Sequence, residues 1–272
     1  MKPIFAKKSL GQNFLHAPNV VRNIVITGHI SPKESVLEIG PGKGVLTEAL
    51  LEAGATVTAV EKDDNLIPFL NEKFKEFVKT AQLKLFHADI LEISPTTIGI
   101  EHPYKLIANI PYYITGEIIR KFLETSTPPE CMVLMVQKEV AERIVSRDGK
   151  ESILSISVKA YGKPKYVETV KARCFRPIPN VDSAILLIDS ISKEFFNQHK
   201  VSEEHFFNVV RAGFAHKRKF LINNLEILAP KPILISIFNE IAISPTVRAE
   251  SINTETWGRI AQKISSSFPQ KN

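Results

Sequence analysis

A chain of 272 residues, 44% hydrophobic and 24% charged, has the composition of an ordinary globular protein with room for a sizeable core. No apolar run reaches the roughly 18 residues of a membrane span, and the lysine-bearing N-terminus lacks the apolar stretch of a secretory signal, so a cytoplasmic protein without membrane contact is expected. Two cysteines, Cys131 and Cys174, and seven scattered histidines show neither disulfide nor metal-ligand spacing, so no metal site is expected either. The net charge of +6 is unevenly spread. Residues 191–272 carry 11 basic against 7 acidic residues, residues 159–176 carry six basic residues against Glu168 alone, and "HKRKF" sets Lys217, Arg218 and Lys219 in a row. Such clusters point to a polyanion, nucleic acid above all; a merely solvated basic face is the alternative.

Along the chain, short β-rich runs alternate with helical patterns. SVLEIG (35–40), TVTAVEK (56–62), LKLFHAD (83–89), YKLIANI (104–110) and CMVLMVQ (131–137) are nearly continuous apolar runs, as expected of strands buried on both faces of a parallel sheet. Helices are expected between them over 45–53, 65–79, 116–124 and 138–146. KYVETVKA (165–172) and SAILLID (183–189) lie too close together for a helical crossover, so they form an antiparallel pair. After Asp189 only helical patterns remain, over 202–214, 217–228, 233–241 and 254–267. The expected fold is α/β: a doubly wound, mostly parallel sheet with an antiparallel last strand over residues 1–190, then a small all-helical domain over 191–272.

The first strand runs into "EIGPGKGVLTEAL", where Gly40, Gly42 and Gly44 precede a helix and allow a backbone to approach a ligand closely. Glu61 closes the second strand 21 residues after Gly40, where Rossmann-type folds hold both hydroxyls of a ribose, and Asp89 closes the third. A dinucleotide fingerprint fails because position 45 is Val, and a phosphate-binding P-loop fails because Lys43 precedes Gly44. The remaining reading is S-adenosylmethionine, whose sites resemble ExGxGxG followed by acids ending strands two and three. That makes the sheet a Rossmann-like class I methyltransferase sheet.

The fourth strand ends in Asn109-Ile110-Pro111-Tyr112, at the carboxyl edge where open α/β sheets bind ligands. Pro111 cannot extend the strand and holds Ile110 extended. An exocyclic nucleobase amine is a poor nucleophile because its lone pair is delocalised into the ring. Two acceptors aimed at its N–H bonds, the Asn109 side-chain oxygen and the Ile110 carbonyl, favour a pyramidal nitrogen, and Tyr112 can stack on the extruded base. Alone, the tetrapeptide fits a capped turn with packed tyrosines equally well. Behind the cofactor motif, the amine site is the expectation. Tyr113 is expected to pack. In "FRPIPNVDS", Phe175 is either ordinary packing or the second face of a base clamp opposite Tyr112, with Arg173 and Arg176 suited to phosphates.

Taken together, "KKSLGQNFL" (7–15), "LEIGPGKGVLTEAL" (37–50), "VEKD" (60–63), "HADIL" (87–91), "ANIPYYIT" (108–115), "VQKEVAERI" (136–144), "FRPIPNVDS" (175–183) and "RAGFAHKRKFLINNL" (211–225) resemble the bacterial small-subunit rRNA adenine dimethyltransferases of the KsgA type. The resemblance runs from residue 7 to about 260, departing at Ile110, where the commonest form has Leu. It implies transfer of four methyl groups from S-adenosyl-L-methionine, two to each of two adjacent adenines in the 3′-terminal hairpin loop of 16S rRNA, within the immature small ribosomal subunit. It implies a donor site of Asn13, Leu15, Gly40, Glu61, Asp89 and Asn109. It further implies an amine site of Asn109, Pro111 and Tyr112 with Phe175 stacking, and it draws residues 1–15 into the donor pocket, although sequence alone makes them a frayed tail. A monomer is expected, with an RNA-binding role for residues 191–272. A large-subunit 23S rRNA adenine dimethyltransferase and a non-catalytic RNA-binding assembly factor are the alternatives.

Overall fold

The computed structural model describes residues 6–7 and 10–267, so Lys8 and Ser9 of the "KKSLGQNFL" motif lie outside the described residues. The described chain begins with a two-residue strand, β1 (Phe14–Leu15), and a helix, α1 (Pro18–Thr27). Then come β2 (Ser35–Ile39), α2 (Val45–Glu52), β3 (Thr56–Glu61), α3 (Leu66–Lys73), α4 (Lys75–Lys79) and β4 (Leu83–His87). They are followed by β5 (Lys105–Asn109), α5 (Thr115–Glu124), β6 (Cys131–Gln137), α6 (Lys138–Ile144), α7 (Ile153–Tyr161), β7 (Lys163–Val170), β8 (Phe175–Arg176) and β9 (Ser183–Asp189). The chain continues as α8 (Glu194–His199), α9 (Glu203–Gly213), α10 (Leu221–Leu225), α11 (Lys231–Glu240) and α12 (Thr254–Ser267). No helix among the described residues is long and apolar enough to cross a membrane.

Seven strands form one sheet in the order β4-β3-β2-β5-β6-β9-β7. The first five run parallel, and β9 lies antiparallel to both β6 and β7. This is the expected mostly parallel sheet with an antiparallel last strand. Central strands without polar alternation need cover on both faces, and Val36, Leu37, Leu106, Ile107, Val133 and Leu134 are all fully buried. Strand order reverses between β2 and β5. Their following loops therefore diverge and open a crevice at the carboxyl edge, which is where the chemistry-bearing residues fall.

Two expected helices differ. The helix over 65–79 breaks at Phe74, whose backbone leaves the helical region (φ −110°, ψ 25°) while its ring buries against Gly44. The helix over 217–228 shrinks to α10, because residues 216–220 form an exposed turn. The Asn224 amide ties that turn down by donating to the carbonyls of Gly213 (2.6 Å) and His216 (3.2 Å).

The chain divides into two compact units. One gathers the residues up to Ala141 with Lys163–Ile191; the other gathers Glu142–Gly162 with the residues from Ser192 onward. The expected division at 190/191 assigns residues 142–162 to the first unit, whereas they cluster with the C-terminal helices. Tyr161 meets Phe196 edge-on at 5.0 Å and stacks on Phe207 at 6.0 Å, and the Glu151 N–H donates to the Glu250 carbonyl. α7 is held by a capping box in which the Ser152 and Ser155 side chains each accept the other's N–H.

Candidate active site

The site starts at the end of β2. Gly44 takes the left-handed conformation (φ 74°) that turns the chain into α2, and a Cβ there would lie 2.5 Å from the Phe74 ring. One residue type therefore serves both the turn and the contact with α3. The Glu61 carboxylate, at the end of β3, is buried and grips this turn. Its Oε2 accepts from the Gly42 N–H (3.1 Å) and its Oε1 from the Asp63 N–H (2.8 Å). Burial raises the Glu61 carboxyl above its usual range, and these two amides oppose the rise.

Asp89, two residues beyond β4, accepts the Leu91 N–H (2.9 Å) and pairs with Lys62 Nζ (2.5 Å). Burial acts to raise its carboxyl, but the Lys62 and Leu91 hydrogen bonds outweigh it and leave Asp89 below the usual carboxylate range. A third acid, Glu38, lines the same cleft. Among the described residues its buried Oε2 has no hydrogen-bond partner, and burial pushes this carboxyl up to about 8.

The far wall is the N-terminal strap, residues 10–15. β1 pairs antiparallel with β8, Phe14 opposite Arg176 and Leu15 opposite Phe175, which fastens the strap across the cleft mouth. Phe14 lies on the glycine turn, with Lys43 Nζ 4.9 Å above its ring. Gln12 reaches Asp63, and Asn13 presents its carbonyl to Asn109 Nδ2 at 3.3 Å. The cleft so enclosed measures about 1040 Å³ counted out to open solvent.

β5 ends at Asn109 on this cleft. Ile110 is buried, Pro111 is extended (φ −58°, ψ 133°), and a 3₁₀ turn spans Tyr112–Ile114. Asn109 Nδ2 donates to the strap, and among the described residues no hydrogen bond is made to its Oδ1. Tyr112 shares a 2.6 Å hydrogen bond with the fully buried hydroxyl of Ser183 on β9. Successive side chains in a 3₁₀ turn point about 120° apart, so as Tyr112 turns inward Tyr113 turns out. Tyr113 is 59% exposed and packs over Gly11 at the rim.

The structure thus brings Asn13, Leu15, Gly40, Glu61, Asp89, Asn109, Pro111 and Tyr112 to one cleft. Phe175 is the correction. Its ring is fully buried in the hydrophobic core and is absent from the cleft wall, so it has no face to offer a base. What it contributes instead is backbone pairing to Leu15 and a core anchor under the strap. Arg173 and Arg176 beside it are exposed. Sequence reasoning passed over Glu38, Gln12, Lys62 and Asp63. Glu38 carries a usable signal as the acid opening ExGxGxG; Gln12 and Asp63 lie 51 residues apart, and nothing in either neighbourhood announces the pairing.

A family model described as ribosomal RNA adenine dimethylase matches residues 5–266. The chain belongs to the ribosomal RNA adenine dimethylase family. It is similar to a ribosomal RNA small subunit methyltransferase A of Dehalococcoides mccartyi, 44% identical over 94% of this chain and 87% of that one. It is also similar to the same-named protein of Fusobacterium nucleatum, 40% identical over 92% of this chain and 94% of that one. Two solved structures share its architecture at 25% identity. They are a dimethyladenosine transferase of Plasmodium falciparum (TM-score 0.78, 91% of this chain and 95% of that one) and the 23S rRNA methyltransferase ErmE (TM-score 0.76, 93% and 100%). As an adenine dimethylase, the chain transfers methyl groups from S-adenosylmethionine to ribosomal RNA. The donor fits the cleft: an open glycine turn, the Glu61 and Asp89 carboxyls and the Glu38 carboxyl with its unpaired buried oxygen suit a ligand that carries hydroxyls and amines.

Proposed function

We propose that the chain dimethylates N6 of two adjacent adenines in the 3′-terminal hairpin loop of 16S rRNA, acting as a monomer in the cytoplasm on the immature small ribosomal subunit. The observation that carries the reading is the tethered amide of Asn109: Nδ2 engaged by the Asn13 carbonyl, Oδ1 left to accept. In the proposed site Glu61 holds the donor ribose, and Asp89, the Gly40 turn and the Asn13–Leu15 strap its remaining polar groups. When bound, S-adenosylmethionine supplies an electrophilic methyl group on its sulfonium. Asn109 Oδ1 and the Ile110 carbonyl accept from the two N–H bonds of the target amine, Pro111 fixes that carbonyl's direction, and Tyr112 holds the base. Transfer of that methyl to the held amine would leave S-adenosylhomocysteine as the thioether product and would pass the surplus N–H proton to water. Positioning and orientation carry the rate, with no strong base required. Residues 191–272 supply RNA contacts through the exposed turn bearing Lys217, Arg218 and Lys219.

The assay is methylation of unmodified small ribosomal subunits with labelled donor, followed by nucleotide mapping. Two dimethylated adjacent adenines near the 3′ end are expected. No label on small subunits, with label taken up by unmodified large subunits offered in parallel, would instead establish the 23S activity named for ErmE. An Asn109→Ala variant should keep rRNA binding while losing most turnover; near-normal turnover would remove Asn109 from the amine site.

A further inference from the structure

The strap that walls the donor cleft is too short to hold itself. β1 contributes two residues of pairing, and among the described residues before it there is only a single turn at Leu10. What holds Lys7 and Gln12 is a closed ring of hydrogen bonds centred on Asp63, the last residue of the VEKD motif. The Lys7 N–H donates to Gln12 Oε1 (2.8 Å), Gln12 Nε2 donates to Asp63 Oδ2 (2.8 Å), and Lys7 Nζ returns to Asp63 Oδ1 (2.6 Å). Asp63 is itself rigid: its side chain is 2% exposed, and Oδ1 also accepts the Asn65 N–H (3.0 Å).

Both ends of Asp63 face the reaction. Its backbone N–H donates to Glu61 Oε1, and its side chain holds Gln12, whose neighbour Asn13 orients the Asn109 amide. We infer that Asp63 is a positioning residue which, through Gln12, locks the strap over the donor and so fixes which atom of Asn109 faces the target amine. This rests on the cleft's being the donor site. Burial acts to raise the Asp63 carboxyl, but Lys7, Gln12 and Asn65 outweigh it and hold it down to about 2, so the lock stays charged across the neutral range.

Binding of S-adenosylhomocysteine, measured by calorimetry on the full chain, tests the inference. Loss of one charge-assisted hydrogen bond is of the order of tenfold in affinity, so Asp63→Ala and Gln12→Ala should each weaken binding by about that factor. The double variant should add less than about threefold to the worse single one, because the two act as one unit. Asp63→Asn keeps an acceptor for Gln12 and should recover part of the loss. In turnover, KM for the donor should rise and kcat should fall, while KM for the RNA stays put. Asp89→Ala is the reference. If it abolishes binding while Asp63→Ala, Asp63→Asn and Gln12→Ala bind like the parent, Asp63 has no positioning role and only the inference fails. If Asp89→Ala also binds like the parent, the donor-site reading falls and takes the inference with it. Should Asp63→Ala not fold, Gln12→Ala, which leaves the buried carboxylate in place, decides the matter alone.

Discussion

Tyr112 offers a clean separation of ring from hydroxyl. Its phenol shares a 2.6 Å hydrogen bond with Ser183, which is fully buried, so Tyr112→Phe strands the Ser183 hydroxyl away from water. An unpaired buried hydroxyl costs roughly 1–3 kcal/mol, and about 1 kcal/mol moves the melting temperature of a chain this size by about 2–4 °C. Tyr112→Phe should therefore melt several degrees lower, and so should Ser183→Ala. The double variant removes both partners and should recover most of the loss. The ring, however, survives in Tyr112→Phe, so kcat/KM should fall by no more than a few-fold. Tyr112→Ala removes the stacking face, worth about 1–3 kcal/mol per base, and should lower kcat/KM by roughly 5- to 150-fold. Burial raises the phenol above its usual value of 10.0, so it keeps its proton at neutral pH and should add no limb to the rate profile there. Thermal melts and single-turnover methylation of the four proteins suffice. Equal activity losses in Tyr112→Phe and Tyr112→Ala would refute the stacking role and move the chemistry to the hydroxyl.

Other tests address the cofactor end, the glycine turn and the basic loop. The Glu38 carboxyl sits at about 8 in the fold against 4.5 when free, so its contribution to stability is fully present below pH 4.5 and is lost as pH rises through 8. Glu38→Gln should flatten that fall in a melting-temperature series from pH 5 to 9; an unchanged slope would show that Glu38 titrates normally. Gly44→Ala combines a left-handed backbone with a Cβ 2.5 Å from Phe74, so a loss of about 2–5 kcal/mol is expected in denaturant titration, and a loss under about 0.5 kcal/mol would mean that Phe74 moves aside freely. Lys217, Arg218 and Lys219 are exposed, and replacing all three by Ala should lower the slope of log K against log salt for RNA binding by about 2–3. An unchanged slope would make the cluster a solvated face only.

How far the sequence reaches depends on the kind of force at work. The strands from β2 to β6 are legible because burial on both faces leaves only apolar residues, and β9 matches its expected span, 183–189, at both ends. Turn glycines and the strand-ending Glu61 are legible because a left-handed turn favours glycine and a buried acceptor of two backbone N–H groups favours a carboxyl. Tertiary overrides are not legible. Phe74 abandons helical geometry to fill the space beside Gly44, and no local propensity records that space. α7 escapes because Ser152 and Ser155 cap it reciprocally, without the acidic partner that usually marks such a box. Phe175 misleads for a related reason. An aromatic beside prolines in a loop reads as exposed, yet two residues of pairing with β1 turn it into the core.

The residue type at 109 follows from what meets there. On one side the strap offers a carbonyl, which needs a donor; on the other, in the proposed site, the target amine offers N–H bonds, which need an acceptor. A planar amide is the one short side chain that carries a donor and an acceptor at fixed angles. Aspartate would set a carboxylate oxygen against the Asn13 carbonyl and push the strap away, and serine would not span the gap. Tethering Nδ2 also removes the freedom of the amide to flip. In the proposed site the acceptor therefore faces the amine only while the strap is seated, so the contact that closes the cleft would also complete the amine site.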